Sequence, residues 1–364
     1  MEKTDAHSSC LDISLKIEGS LALITLHRPH YLNALSLDMR ASMASWLGPL
    51  SRDPQVYAVV IQSGCEKAFS VGADVKEIMQ ICKNEPENAR KAFREEYTLN
   101  WQIECFSKPI ISLIDGYVMG GGVGISLYGT HRVAGEKYSF AMPETRIGFF
   151  PDVGVSRDLA SMPASIGLYL GLTGRSIARA DAYYLGLATH CISSQHFEKI
   201  KRQLADTMPV DPLLDDLHKD PGEGELVKIG DIIERCFSGS NVENIFANLE
   251  SEQGKHRPWA TKVLADLKQK SPTSLSVTFN HIQRSKGLDL REVLLLDYQL
   301  ACRFLDDIDF HEGVRAYLIE KDGHPQWSPN SLGDTVMKKA DAYLAEKDYN
   351  FFLPSRLVMQ SRND

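Results

Sequence analysis

The sequence predicts an α/β protein with a mostly parallel sheet, followed by a helical C-terminal region. Three observations lead there. Val56–Ile61 is a short, continuous apolar run and Ile110–Ile114 a largely apolar one, the pattern of strands buried on both faces. Segments of helical spacing separate such runs through roughly the first 200 residues, and alternating strand and helix favours parallel pairing through crossovers. Beyond Leu226 the periodic segments are almost wholly helical.

Taken in order, Leu11–Ile17 and Leu21–Leu26 flank Glu18-Gly19-Ser20 and read as a β-hairpin. Ser36–Leu50 reads as a helix with Ser36 as N-cap. Asn88–Phe106 has helical spacing and sets Glu96 on one face with Phe93, Asn100 and Ile103, while Glu95 points to solvent. After the strand Ile110–Ile114 comes a helix of small residues, then short strands at His131–Ala134 and Tyr138–Ala141. Leu187–Ile192 reads as a strand in which His190 packs rather than ligates. Asp206–Leu226, with Pro209, Pro212, Pro221, Gly222 and Gly224, reads as a linker between a core over residues 1–205 and a helical region over 206–364. In that region Ser271-Pro272-Thr273 opens a helix with an early proline. Asp289 caps another that runs to Phe304 through Val293, Leu296 and Leu300.

Composition excludes several functions. A formal charge of −8 over 364 residues argues against a general nucleic-acid binder. No apolar run reaches membrane-spanning length. Seven scattered cysteines, an odd number without a C-x-x-C, read as reduced thiols. Met1 to Cys10 is polar, with Glu2, Asp5 and His7, and lacks the marks of a secretory or transit peptide. A cytoplasmic protein is therefore expected, or a mitochondrial matrix protein whose presequence has been removed.

The chemistry concentrates in two stretches. Asp115-Gly-Tyr-Val-Met-Gly-Gly-Gly-Val-Gly124 follows a strand and opens a helix, so its glycines leave N–H donors free at a helix N-terminus. Lys67-Ala-Phe-Ser-Val-Gly-Ala-Asp-Val-Lys76 repeats that context, with Asp74 as a helix cap. The N–H groups of Ala73 and Gly121 are then candidates to converge on one carbonyl oxygen as an oxyanion hole. Ala141-Met-Pro-Glu-Thr-Arg-Ile-Gly-Phe-Phe-Pro-Asp-Val-Gly154 sets Glu144 and Asp152 among apolar and turn residues, where the ionised form is disfavoured and a general acid or base is tuned toward neutrality. Glu96 is either a salt-bridge partner or part of a pocket wall. A dinucleotide fingerprint lacks its third glycine after Gly122-Val-Gly124, and G-x-S-x-G is absent. His131, His281 and His311 stand alone in the sequence, and no metal motif is present.

Taken together, Leu26-His-Arg-Pro-His-Tyr-Leu-Asn-Ala-Leu35, Lys67–Asp74, Asp115–Gly122 and Pro143-Glu144 resemble the crotonase (enoyl-CoA hydratase/isomerase) superfamily over about residues 12–205. The resemblance implies a spiral of ββα turns with an oxyanion hole for an acyl-CoA thioester, supplied by Ala73 and Gly121. Phe93–Asn100, Met142–Gly154, Leu172-Thr-Gly174 with Gly186–His190, and Asp309–Asp322 resemble the branch that hydrolyses small β-hydroxyacyl-CoA thioesters such as 3-hydroxyisobutyryl-CoA in valine breakdown. That likeness extends over about residues 12–330 and implies substrate contacts at Glu96, Gly121, Glu144 and Asp152, with Glu144 and Asp152 catalytic.

The resembling hydratases use two glutamates, the first at the place of Gly124, so Gly124 favours hydrolysis over addition of water to a double bond. Two readings compete with it: a hydratase or isomerase on the same fold, and an acyl-CoA-binding protein without turnover. Val155-Ser156-Arg157 and Ala73 depart from the usual pattern and bear on the acyl group rather than the reaction class. Arg28, Lys67, Ala68 and Lys321 are expected at the CoA moiety. No cofactor or metal is implied, coenzyme A being part of the substrate, and superfamily members often form homo-oligomers.

Overall fold

The alternation of strand and helix builds two sheets rather than one. The structure, a computed structural model, describes residues 10–345, 347 and 349–363; the polar opening with Glu2, Asp5 and His7 lies outside the described residues. In chain order the strands are β1 (Ile13–Glu18), β2 (Leu21–Leu26), β3 (Ala58–Ser63), β4 (Ala68–Ser70), β5 (Ile110–Ile114), β6 (Tyr117–Met119), β7 (His131–Ala134), β8 (Ser139–Ala141), β9 (Ile177–Ala178) and β10 (His190–Cys191). One sheet has the order β1-β2-β3-β5-β7-β10 and the other β4-β6-β8-β9. The first sheet is parallel except for the β1–β2 hairpin, whose turn has Gly19 at φ +56°. Each of the pairs β3/β4, β5/β6 and β7/β8 gives one strand to each sheet, so the chain climbs as a spiral of strand pairs and helices.

The central strands of the larger sheet, β2, β3 and β5, are buried on both faces, which explains their largely apolar sequences. Successive residues point to opposite faces. Ala22, Ile24, Val59, Ile61 and Ile110 enter the main core, while Leu21, Leu23, Ala58, Val60 and Ile111 enter a second cluster. That second cluster is covered in part by a helix at Val210–Leu217, through Val210, Leu213 and Leu214. The stretch read as a linker therefore contains a packed helix. Its prolines are compatible with that helix because Pro209 precedes it and Pro212 lies in its first turn, where the missing N–H costs nothing.

Capping follows the sequence closely. Ser36 Oγ accepts from Met39 N at the start of Leu37–Arg52. Ser271 caps Pro272–Arg284, and Asp289 with Glu292 forms a capping box on Leu290–Leu305. These two C-terminal helices join the main core rather than forming a separate one: Val277, Leu294 and Phe304 belong to the same cluster as the sheet residues. Phe150 stacks on Phe304 at 5.4 Å between centroids, and Phe149 meets Phe310 at 4.7 Å. The C-terminal region thus rests directly on the segment between Glu144 and Asp152.

Candidate active site

The turns that follow β4 and β6 lie against each other. Gly72 (φ +97°) and Gly120 (φ +48°) adopt conformations that favour glycine. A Cβ on Gly72 would stand 2.8 Å from Gly121 N, and one on Gly121 would stand 3.1 Å from Ala73 N. Neither N–H has an acceptor in the chain among the described residues. For Gly121 the reason is its place as first residue of the helix Gly121–Leu127, where N–H groups lack an intrahelical partner. For Ala73 it is the bridge to Leu35, which takes up Gly72 O (2.7 Å) and Asp74 N (3.0 Å) and leaves the N–H between them free. Asp74 caps the helix Val75–Asn84 through Glu77 N.

Three carboxyl groups border the same cavity as this pair of donors. Glu144 opens a short 3-10 turn, Glu144–Ile147, and its Oε1 lies 2.9 Å from where a Cβ on Gly120 would be. Its Oε2 is buried without a hydrogen-bond partner. Burial pushes the Glu144 carboxyl up to about 8, its own backbone N–H and the charge of Lys270 oppose the rise, and Glu96 adds to it. Asp152 accepts from the Tyr97 hydroxyl at 2.8 Å. Burial holds it well above the usual carboxylate range, with Glu96, Glu144 and Asp297 contributing in the same direction. Glu96 is raised by burial too, against the opposing charge of Arg40, whose Nη1 lies 2.5 Å from Glu96 Oε2. A Cβ on Gly121 would overlap Glu96 Oε1, so Glu96 lies against the donor pair as well.

A cavity of about 670 Å³ is lined by Ala73, Gly121, Glu96, Glu144 and Asp152 together. Its apolar wall includes Phe93 and Phe149 from the core, and Phe310, Tyr317 and Leu318 from the C-terminal region. The cations expected at coenzyme A do not line it. Arg28 is tied to Asp12 (3.2 Å) and Asp74 (2.8 Å) and lies over the ring of Tyr31, which borders the cavity. Lys67 and Lys321 are exposed, and Ala68 is buried in β4. Lys76 and Arg146 line the cavity instead, Arg146 being stacked over Tyr317 at 4.7 Å.

Several residues of this neighbourhood are not evident from the sequence pattern. Arg40 is the exception: it sits on the buried stripe of its helix with Met39, Met43 and Leu47, where a charge needs a partner. Lys270, buried and donating to Thr145 Oγ1 at 3.0 Å, carries no such local sign. The histidines that stand alone in sequence do not do so in space. His281 Nε2 pairs with Asp297 at 2.6 Å, His131 with Asp211 at 2.8 Å, and His311 with the carbonyl of Leu305 at 2.8 Å. His190, expected to pack, reaches Asp215 at 3.1 Å.

The profile of the enoyl-CoA hydratase/isomerase family matches residues 21–344. The chain belongs to that family. Among similar proteins of this family, the mitochondrial 3-hydroxyisobutyryl-CoA hydrolase of Rattus norvegicus is 36% identical over 95% of this chain and 92% of its own. The protein of the same name from Xenopus tropicalis is 39% identical over 89% of this chain and 86% of its own. A solved structure of a carnitinyl-CoA dehydratase from Mycobacterium thermoresistibile superposes with a TM-score of 0.88 at 32% identity, covering 94% of this chain and 99% of that one. An enoyl-CoA hydratase from Rhodobacter sphaeroides 2.4.1 follows with a TM-score of 0.84 at 33% identity, covering 92% and 97%. The hydrolase relatives are named mitochondrial, which corrects the expectation of a cytoplasmic protein. An address is read by import machinery and is not part of the fold, so the polarity of Met1 to Cys10 is a poor guide to it.

Within the family, Gly124 has a spatial reason as well as a chemical one. A Cβ there would stand 2.6 Å from Asn100 Nδ2 and 3.0 Å from Val153 Cβ. An acidic side chain at this position would require Asn100 and Val153 to move aside.

Proposed function

We propose that this chain hydrolyses the thioester of a small β-hydroxyacyl-CoA, with 3-hydroxyisobutyryl-CoA as the first substrate to test, and that it does so in mitochondria. The observation that carries this reading is one buried glutamate with a free oxygen beside two N–H donors that have no acceptor of their own. The names of the hydrolase relatives, at 36–39% identity over most of their length, support the same reaction.

In this reading the thioester oxygen sits between the N–H groups of Ala73 and Gly121. Glu144, as carboxylate, takes a proton from water while the water oxygen bonds to the carbonyl carbon, and the carbonyl electrons move onto the oxygen held by the two donors. Collapse of that intermediate breaks the carbon–sulfur bond. The leaving thiolate needs little help, since a thiol has a pKa of about 8.5, and it is protonated by Glu144 or solvent. In the second route Glu144 attacks the carbonyl itself, CoA thiolate leaves, and water cleaves the resulting anhydride. Asp152, held by Tyr97, orients the β-hydroxyl or the water, and Glu96 lines the pocket near that hydroxyl. Lys76 and Arg146 are the cations at the cavity for the phosphates of coenzyme A. The acyl-CoA is the substrate and the reaction as written draws on no further cofactor.

The hydratase reading is favoured by the names of two similar solved structures, a carnitinyl-CoA dehydratase and an enoyl-CoA hydratase. It needs a second carboxylate that Gly124 lacks and Asn100 crowds out. Thiol trapping during incubation with 3-hydroxyisobutyryl-CoA is expected to show free CoA. No thiol release together with rapid loss of the double-bond absorbance of crotonyl-CoA would instead establish the hydratase.

A further inference from the structure

We propose that Asp297, braced by His281, is a positioning residue for Asp152; this rests on the reading of Asp152 as the group that orients the hydroxyl or water. Asp152 is followed by Val153 at φ +55° and Gly154 at φ +81°. A β-branched residue in the left-handed region is strained, and such a turn persists only where its surroundings over-determine it. Here they do. The Tyr128 hydroxyl donates to Val153 O at 2.6 Å, and Gly154 N donates to Asp297 Oδ2 at 2.6 Å. The other oxygen of Asp297 accepts from His281 Nε2 at 2.6 Å, and both side chains are wholly buried.

The brace reaches the turn from a distance. Asp297 lies on the helix Leu290–Leu305 and His281 on Pro272–Arg284. The ring of His281 also meets Phe150 edge-on at 5.6 Å, just before Asp152. Hydrogen bonds to an ionised acceptor are roughly twice as strong as neutral ones, so a carboxylate is the effective partner for one N–H that must not move. Burial disfavours the ionised form of Asp297, and the bonds from His281 and Gly154 act against that. Two helices outside the spiral core therefore converge on the peptide two residues after Asp152. Without that bond, Tyr128 on Val153 O and Ser156 Oγ on Pro151 O at 3.2 Å would be left to hold the strained turn, neither of them at the Gly154 peptide, and Asp152 would lose its aim at Tyr97 and the cavity.

The test is a double-mutant cycle on hydrolysis of 3-hydroxyisobutyryl-CoA, using Asp297→Ala, Asp152→Asn and the combination, with Asp297→Asn as the conservative variant. Asp297→Asn keeps an oxygen for Gly154 N and is expected to retain kcat within about three-fold. Asp297→Ala is expected to lower kcat about ten-fold or more with KM changed far less. On the Asp152→Asn background the same change is expected to cost less than about two-fold, because residues that act through one another are not additive. Equal losses on both backgrounds, or an Asp297→Ala enzyme with unchanged kcat, would overturn the positioning role. An Asp152→Asn enzyme with full activity would instead overturn the role of Asp152, and the inference with it. Should Asp297→Ala not fold, His281→Leu, which leaves the carboxylate but removes its brace, takes its place in the cycle: a loss confined to the Asp152 background supports the role, and equal losses on both overturn it.

Discussion

Raising the pH from 6 to 8 is expected to increase kcat/KM steeply, and the size of the increase follows from where Glu144 sits. Burial pushes its carboxyl up to about 8, and Glu96 adds to that. As a base or nucleophile Glu144 works only when ionised. With that value the ionised fraction is about 1% at pH 6, about a tenth at pH 7 and one half at pH 8, an increase of about 50-fold over two units. The sign is fixed by the role: activity is lost as pH falls through the raised pKa and levels off above it. The ratio kcat/KM is the quantity to measure because it reports the free enzyme, with spontaneous thioester hydrolysis subtracted at each pH. Glu96→Gln provides the control. It removes the charge that raises Glu144 and leaves Arg40 without its partner, so the midpoint is expected to move down. A profile that is flat or falling between pH 6 and 8 would refute an ionised Glu144 as the acting group, and an unmoved midpoint in Glu96→Gln would refute the coupling.

Other changes test other parts of the site. Gly121→Ala places a methyl 3.1 Å from Ala73 N and onto Glu96 Oε1, and is expected to lower kcat by about 100- to 1,000-fold in a thiol-release assay. Gly124→Ala forces a Cβ to within 2.6 Å of Asn100 Nδ2; urea unfolding is expected to show a loss of about 1–3 kcal/mol without any gain of crotonyl-CoA hydration. Glu144→Gln cannot ionise. Because the folded-state pKa of Glu144 is raised, wild-type stability falls as pH rises from the ordinary carboxylate range to about 8 and levels off above it, and the variant is expected to gain in melting temperature relative to wild type between pH 4 and pH 8.5, by calorimetry.

What can be read from the sequence is local. The strand runs and the caps at Ser36, Ser271 and Asp289 are decided within a turn or two of chain, and the structure has each of them. The acids of the site are visible because carboxylates flanked by proline and apolar residues are unusual in a short window. The pairings around them are not visible, even where a residue such as Arg40 shows that it needs a partner, because they join distant parts of the chain: Arg40 lies 56 residues from Glu96, Lys270 lies 125 from Thr145, and Asp297 lies 143 from Gly154. The helix Val210–Leu217 is hidden for a different reason. Proline and acidic residues outweigh the i, i+3, i+4 spacing of Val210, Leu213 and Leu214, yet that spacing is what buries them. Localisation has no structural signature to correct it, since targeting leaves no mark on packing.

The two halves of the proposed chemistry have separate structural origins. The oxyanion donors belong to the spiral itself: they need only β4, β6 and the glycines that let two turns touch. The raised pKa of Glu144 needs burial, and much of that cover comes from the C-terminal region. The turn that holds Glu144 has no side chains to spare at its contacts. A Cβ on Gly148 would stand 2.6 Å from the carbonyl carbon of Asp309, and one on Gly313 would stand 2.7 Å from Ile147 Cα, so main chain lies on main chain where the turn ends. Phe310, Tyr317 and Leu318 then close the wall of the cavity, and Lys270 sets a buried positive charge that opposes the rise. Loosening these C-terminal contacts would let water reach Glu144 and draw its pKa back toward the ordinary range. The donors would remain, and a thioester would still be polarised, but the base beside it would be weaker by the same shift. In the proposed chemistry the core would therefore determine where the thioester carbonyl is held, while the C-terminal helices would determine how strong a base waits beside it.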